Sequence, residues 1–230
     1  MLTCNHPVPP NRYNDRVEEH LRITGFYHVS QIGIVQCQKA LVNVLIECWH
    51  PDTHTFHFPI GECSMTLEDV ALIFGLPTDG LPVTRMIMSS FEAMEVECLL
   101  QFGVAPCKED CRSNFLPLLR DFVNIGQFSW GSACLAHLYR ALCRASRYNC
   151  KKIDGPLTLL LGWAWIRLPY LSPLPREPRS FPLANRWRNW ERGDRRYRYL
   201  KLAHFRKALM NFRKASLSGL PMLWIVWIRT

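Results

Sequence analysis

The segment between residues 53 and 80 constrains the fold most, because it predicts a strand, a turn and a helix with both ends marked. Aromatic and smaller side chains alternate at 53–58, as they do in a short strand with two different faces. Ser64 or Thr66 can cap the helix that follows, and Gly75 can supply its left-handed C-terminal residue. The chain is therefore predicted to place a short helix directly after a small piece of sheet.

Helical periodicity dominates the rest of the chain. Apolar residues recur three and four positions apart, the spacing that buries one face of a helix. The segment 155–166 is apolar all round and should be buried, whereas 131–147 carries a stripe of arginines opposite its apolar face, at Arg140, Arg144 and Arg147. Further helices are predicted at 35–49, 89–102, 114–125 and 199–215. We expect a mainly α fold with a few short β-strands (α+β), in a single helical domain.

Composition shifts along the chain suggest how it is organised. The expected parts are an N-terminal arm at 1–20, a core at 21–167, a proline-rich connector at 168–185, a basic segment and helix of the same domain at 186–215, and an apolar tail at 216–230. The connector is either an extended ligand for a proline-reading module or, as we favour, a stiff linker.

Charge is distributed very unevenly for a chain of net charge +9. Residues 1–110 hold 6 Lys/Arg and 14 Asp/Glu, whereas residues 111–230 hold 22 and 5. This split indicates either two halves that attract each other or a basic surface for an acidic partner, of which nucleic acid is the commonest. No apolar run approaches the ~20 residues of a membrane span, and the first residues do not resemble a secretory signal. We expect a soluble intracellular protein whose ten cysteines are reduced.

Histidines and cysteines around the predicted strand raise the question of a metal site. Five possible zinc ligands lie close together, namely Cys48, His50, His54, His57 and Cys63. His54 and His57 are an odd number of positions apart on a predicted strand, so they should point to opposite faces. A structural role is therefore favoured over a metal site.

Signatures of catalysis are missing from the sequence. No P-loop, dinucleotide-binding or nucleophile-elbow motif occurs. With 12 glycines, no phosphate-binding loop and little βαβ rhythm, the chain offers no place for pyridoxal phosphate. We expect no catalytic residue, no cofactor and no small-molecule substrate.

The strongest functional candidate is the basic segment, RWRNWERGDRRYRYLK at residues 186–201. It holds seven Lys/Arg against two acids, interleaved with tryptophans and tyrosines. Cations neutralise phosphates, and aromatic rings offer faces on which bases stack. The predicted nucleic-acid-binding residues are Arg186, Arg188, Trp190, Arg192, Arg195, Arg196, Arg198 and Lys201. An equally weighted alternative is that Trp187 and Trp190 anchor the segment to the core while its arginines stay in solvent.

Several long motifs resemble the plant mobile domain, the "aminotransferase-like" domain of maintenance-of-meristems-like proteins and of plant transposable elements. They are GFYHVSQIG (25–33), WHPDTHTFHFPIGECSMTLEDVALIFGLPTDGLPV (49–83), LPLLRDF (116–122) and FSWGSACLAHLYRALCRAS (128–146). Weaker similarity continues through GPLTLLLGWAWIRLP, the pair at 187–188 and LAHFRKAL.

The resemblance implies a mainly helical nuclear protein without established catalysis, linked to meristem maintenance, genome stability and transposable-element silencing. Nucleic acid or chromatin proteins are the implied partners, and a protein–protein scaffold or a non-functional transposon-derived fragment are the alternatives. Relative to the family pattern, the chain is expected to lack an internal segment near Arg112 and Ser113 and to depart from the pattern after Leu209, so the domain is incomplete.

Overall fold

The computed structural model describes residues 15–59, 61–83, 95–96, 99–100, 122–147, 153 and 155–211. The helices in these ranges are α1 (Asp15–Ile23), α2 (Tyr27–Ser30), α3 (Lys39–Cys48), α4 (Leu67–Phe74), α5 (Phe122–Ile125), α6 (Trp130–Arg147), α7 (Leu157–Arg167), α8 (Trp190–Gly193), α9 (Arg195–Arg198) and α10 (Leu202–Met210). Two 3₁₀ turns, Pro169–Leu171 and Leu183–Trp187, and three strands, β1 (Trp49–His50), β2 (Thr55–Phe58) and β3 (Gly61–Cys63), complete them. The predicted mainly α fold with a few short strands is confirmed.

The three strands form one antiparallel sheet in the order β1-β2-β3. Phe56 pairs with Trp49 on one side and with Cys63 on the other, and its side chain is fully buried. The strand predicted to start at residue 53 starts at Thr55, because His54 takes a left-handed backbone conformation (φ 55°) in the turn before it. The third strand was not predicted, since three residues are too short to show an alternating pattern.

Helix α4 is built as its sequence predicts. Thr66 caps it, accepting a hydrogen bond from the Asp69 amide while the Asp69 carboxylate accepts one from the Thr66 amide. At the other end Gly75 has φ 67°, and a Cβ there would lie 2.4 Å from the Cβ of His28. A glycine is therefore required both for the backbone conformation and for the close approach of α2.

The core is centred on α7, which is buried on nearly its whole surface, as its apolar sequence predicted. Helices α3 and α4 pack on α7, and α6 packs on α3, α4 and β1. The sheet joins this core through Phe56, whose ring stacks on Trp163 with centroids 4.8 Å apart. At the C-terminus of α7, Arg167 forms an ion pair of 2.5 Å with the buried Asp69, so the cap of α4 also ties α4 to α7.

The loop after α4 is tied to the start of α6, although about fifty positions separate them in sequence. Leu81 donates to the carbonyl of Gln127 at 2.7 Å and accepts from the Ser129 amide at 2.8 Å. The Gly131 amide donates to the Pro77 carbonyl at 2.7 Å. These bonds join two of the motifs that carry the family resemblance.

The remaining predictions have mixed outcomes. Helix α1 occupies part of the predicted N-terminal arm, and α10 begins at Leu202 rather than 199. Of the helix predicted at 89–102, only 95–96 and 99–100 are described, and both pairs are helical. Residues 114–121, the predicted deletion at 112–113 and the tail at 216–230 lie outside the described ranges. Across the part of the chain that is described, no helix is long and apolar enough to cross a membrane.

Candidate nucleic-acid interface

The basic segment is held by a non-helical stretch at residues 31–38 that lies alongside it. The helix predicted from residue 35 starts only at Lys39, capped by the Gln38 side chain, because the backbone before it bonds to residues 185–190 instead. Four contacts carry this pairing. The Asn185 side chain makes two of them: its Oδ1 accepts from the Gly33 amide at 2.9 Å, and its Nδ2 donates to the Gln31 carbonyl at 3.2 Å. The Asn189 amide donates to the Ile34 carbonyl at 2.8 Å. Trp190 Nε1 donates to the Gln36 carbonyl at 2.8 Å.

Three of the four aromatic residues of the basic segment point into the core. Trp187, Trp190 and Tyr197 are 4%, 2% and 5% exposed. Their rings surround Trp165 of α7, with centroids 5.2, 6.5 and 6.4 Å from it. Such tilted and edge-to-face arrangements are the preferred geometries of aromatic pairs. The segment is therefore anchored through its aromatic side chains.

Hydrogen bonds fix the same anchors. Tyr197 Oη donates to the Leu171 carbonyl at 2.7 Å and accepts from Trp165 Nε1 at 2.8 Å, and Gln38 donates to the Tyr197 carbonyl at 2.8 Å. Burial raises the pKa of Tyr197 well above its usual range, so its hydroxyl keeps the proton that it donates. Trp187 Nε1 donates to the Pro173 carbonyl at 3.0 Å, which draws the proline-rich connector onto the same cluster.

Three of the eight predicted binding residues are buried or half-buried and pack within the domain. The ring of Trp190 is buried and offers no face to a base, so assigning it to the nucleic-acid surface was wrong. Arg188 is half-buried, packs on Gly33 and pairs with Glu177 at 2.6 Å. Arg186 is half-buried as well, and its Nε atom has no hydrogen-bond partner within the described residues. These three side chains therefore help to hold the exposed surface in place and are not part of it.

The other five predicted residues, Arg192, Arg195, Arg196, Arg198 and Lys201, are exposed. Three of them, Arg192, Arg195 and Arg198, line a surface pocket of about 660 Å³ together with Glu191 and Tyr199. Glu191 pairs with Arg198 at 2.8 Å, so three guanidinium groups face one carboxylate. The pocket keeps a positive charge that suits a phosphate group.

Tyr199 is a surface residue that the sequence analysis left out of the predicted site. Its side chain is 74% exposed, and the Arg198 guanidinium carbon lies 5.8 Å from its ring centroid. The sequence held a signal for it, because residues two apart on a helix face different directions. Since Tyr197 points inward, Tyr199 was free to point outward.

The histidines around the sheet fall into two groups. His54 lies in the turn before β2, so it is not on the strand where it was predicted to face away from His57. His57 stacks on His50 with centroids 3.9 Å apart, and its Nε2 lies 3.5 Å from Glu62 Oε1. His54 stacks instead on Tyr139 of α6, 5.9 Å away. Among the residues that the structure describes, no group of three or more His, Cys, Asp or Glu side chains has the arrangement to hold a metal ion.

Half-buried cysteines lie at the end of α3 and along α6. Burial raises the pKa of Cys48 to about 11 and that of Cys134 to about 12. Cys143 accepts a hydrogen bond from Trp49 Nε1 at 3.4 Å. A thiol with a raised pKa holds little thiolate at neutral pH, and so Cys48 and Cys134 are poor nucleophiles.

Comparison with known proteins matches the plant mobile domain family to residues 25–109 and 98–221. Similar proteins of Arabidopsis thaliana include a serine/threonine-protein phosphatase 7 long form homolog, which is 34% identical over 73% of this chain and 16% of its own length. Protein MAIN-LIKE 2 is 30% identical over 86% of this chain and 37% of its own length. Protein MAINTENANCE OF MERISTEMS is 29% identical over 86% and 51%. No solved structure matches the chain.

The chain spans about half or less of the length of these relatives. Its alignment with MAIN-LIKE 2 runs over 251 positions, more than this chain's 230 residues, while covering only 86% of them. The relative therefore carries residues inside the matched region that have no counterpart here. The predicted position of a deletion, near Arg112 and Ser113, stays a prediction. The family match covers most of the chain, and the motifs quoted above lie within it. This chain belongs to the plant mobile domain family.

Proposed function

We propose that this domain is a non-enzymatic nuclear module that binds nucleic acid through the exposed cations of residues 192–201. Its setting, by analogy with the family, is meristem maintenance, genome stability and the silencing of transposable elements. The observation that carries the proposal is the pocket of Arg192, Arg195 and Arg198 with Tyr199 at its side, on a segment whose other aromatic residues are buried.

The physical support is a fixed positive surface. Phosphate binding releases counterions, and guanidinium groups bind phosphate oxygens in a planar, two-pronged geometry. Arg192, Arg195 and Arg196 form no ion pair with any described residue, so their charge is not neutralised within this part of the chain. Because Trp190 and Tyr197 hold the backbone, little ordering of the segment has to accompany binding.

The direct test replaces Arg195, Arg196 and Arg198 with alanine together and measures affinity for a labelled oligonucleotide at several salt concentrations. We expect binding at low salt to weaken by roughly 10-fold or more and its salt dependence to flatten, because about three phosphate contacts are lost. The matched control removes the three arginines of the α6 stripe, Arg140, Arg144 and Arg147, and should retain affinity within about twofold. Unchanged binding by the first variant, or no binding by the parent chain, would contradict the proposal.

A second candidate is a protein–protein scaffold, which the α6 stripe favours. Arg140, Arg144 and Arg147 are all exposed on one helix, where an acidic protein could dock. Purification of partners after nuclease treatment separates the two candidates, because a scaffold keeps its partners when nucleic acid is destroyed. The relative named as a phosphatase homolog is matched over 16% of its length, so its name assigns no phosphatase activity to this domain.

A further inference from the structure

We infer that the arginine pocket, lined by Glu191, Arg192, Arg195, Arg198 and Tyr199, is a subsite for one nucleotide of single-stranded nucleic acid. The guanidinium groups hold its phosphate and the exposed Tyr199 ring stacks on its base. The inference rests on the proposed function and deepens it, because it names the form of nucleic acid that the surface prefers.

The size and composition of the arginine pocket fit a nucleotide. Its volume of about 660 Å³ lies within the range of roughly 300–1,000 Å³ that is usual for small-ligand sites. Cationic side chains and an aromatic ring line the same concave space, and a nucleotide offers both an anion and a flat ring. Single-strand-binding proteins use this combination of arginine and aromatic side chains.

Tyr199 is what distinguishes a single strand from a duplex. A base inside a duplex is already stacked on both faces and paired at its edge, so it cannot reach a ring at the side of a pocket. A single-stranded base can turn outward and stack. The Tyr199 side chain is 74% exposed, and its neighbour Tyr197 is 5% exposed, so the ring is presented at the end of a fixed backbone.

Glu191 sets the charge of the arginine pocket. Its carboxylate lies 2.8 Å from Arg198 Nε and holds that guanidinium beside Tyr199. Neither Arg192 nor Arg195 has an ion-pair partner among the residues described, which leaves both for a phosphate. Because one of its three guanidinium groups is paired with a carboxylate, the arginine pocket should bind a phosphodiester less tightly than three unpaired arginines would.

The test measures binding of the full chain to a single-stranded oligonucleotide of roughly 12 nucleotides and to its duplex, by fluorescence anisotropy at low salt. Tyr199→Ala should weaken single-strand binding by about 10-fold with little change in salt dependence, because a stacking contact and no charge is lost. Duplex binding should change by less than about twofold, and Tyr199→Phe should retain single-strand affinity. Tyr170→Ala, at another exposed tyrosine, is the matched control.

The outcomes distinguish a failure of the subsite from a failure of the proposed function. If Tyr199→Ala loses affinity equally for single strand and duplex, or loses none for either, the subsite is overturned. The proposed function then still stands, provided that the parent chain binds nucleic acid. If the parent binds neither probe at low salt, both are overturned. Loss with Tyr199→Ala on the single strand alone, together with retention by Tyr199→Phe, supports the subsite.

Discussion

Two arginine-rich regions of the molecule can be compared, the stripe on α6 and the basic segment at 186–201. On α6 the arginines follow one face of a regular 18-residue helix, where Arg140 and Arg147 are separated by about 10 Å along the axis. In the basic segment the helices α8 and α9 have four residues each, and their turns bring Arg192, Arg195 and Arg198 to one pocket. Similar charge is thus spread out in one region and concentrated in the other.

The difference lies in what holds each region in place. The α6 stripe depends on an ordinary amphipathic helix whose apolar face buries Leu138 and Leu142 completely. The basic segment has too few residues in each helix to be stable alone, and it depends on Trp187, Trp190 and Tyr197 instead. Concentrated surface charge is therefore made possible by aromatic residues beneath it.

The largest expected effect comes from removing the central anchor. Trp190→Ala should lower the free energy of unfolding by about 3–5 kcal/mol, because a large buried ring and its hydrogen bond to Gln36 are lost. It should also weaken nucleic-acid binding where the variant remains folded. Leu138→Ala in α6 is the control, with a loss of about 2–5 kcal/mol but unchanged affinity. Urea denaturation and fluorescence anisotropy measure the two effects. A folded Trp190→Ala variant with full affinity would contradict the claim that the buried aromatic residues position the binding surface.

A smaller effect should follow from removing one hydroxyl in each region. Tyr197→Phe should cost about 1–3 kcal/mol, because the Leu171 carbonyl and Trp165 Nε1 both lose a buried partner. Tyr139→Phe in α6 removes hydrogen bonds to the Met65 carbonyl, at 2.7 Å, and to the Ser64 side chain. Because this hydroxyl is only half-buried, we expect the free energy of unfolding to fall by about 1 kcal/mol. Thermal and urea unfolding of both variants measure the difference. Equal losses of unfolding free energy in the two variants would show that the Tyr197 hydroxyl stabilises its region no more than the Tyr139 hydroxyl does.

The smallest expected effect concerns the one carboxylate of the arginine pocket. Glu191→Gln removes the partner of Arg198 and should raise single-strand affinity by about 2–5-fold at low salt, with a stability change within about 1 kcal/mol. Glu47→Gln removes the same charge from another exposed ion pair, with Arg206 at 2.6 Å, and serves as the control. Equal gains in the two variants would mean that net charge alone, and not the pocket, governs binding.

Regular elements with strong local signals could be predicted from the sequence. The possible caps Ser64 and Thr66 and the glycine at 75 marked α4, and the continuous apolar surface of 157–166 marked the buried helix α7. The stretch 31–38 could not be predicted in this way. A helix was predicted from residue 35, but residues 32–38 are not helical, because Asn185, Asn189 and Trp190 bond to this stretch from more than 150 positions away.

Local periodicity, caps and long motifs are properties of neighbouring residues, and so the helical class, the family and the presence of a basic aromatic segment could all be inferred from the sequence. It left open whether that segment presents its aromatic rings or buries them. Only the tertiary structure decided this, by placing Trp165 where it receives Trp187, Trp190 and Tyr197 while Tyr199 and the arginines stay outside. The physical reason is that the burial of a side chain depends on what packs against it, and in this segment the partner comes from α7.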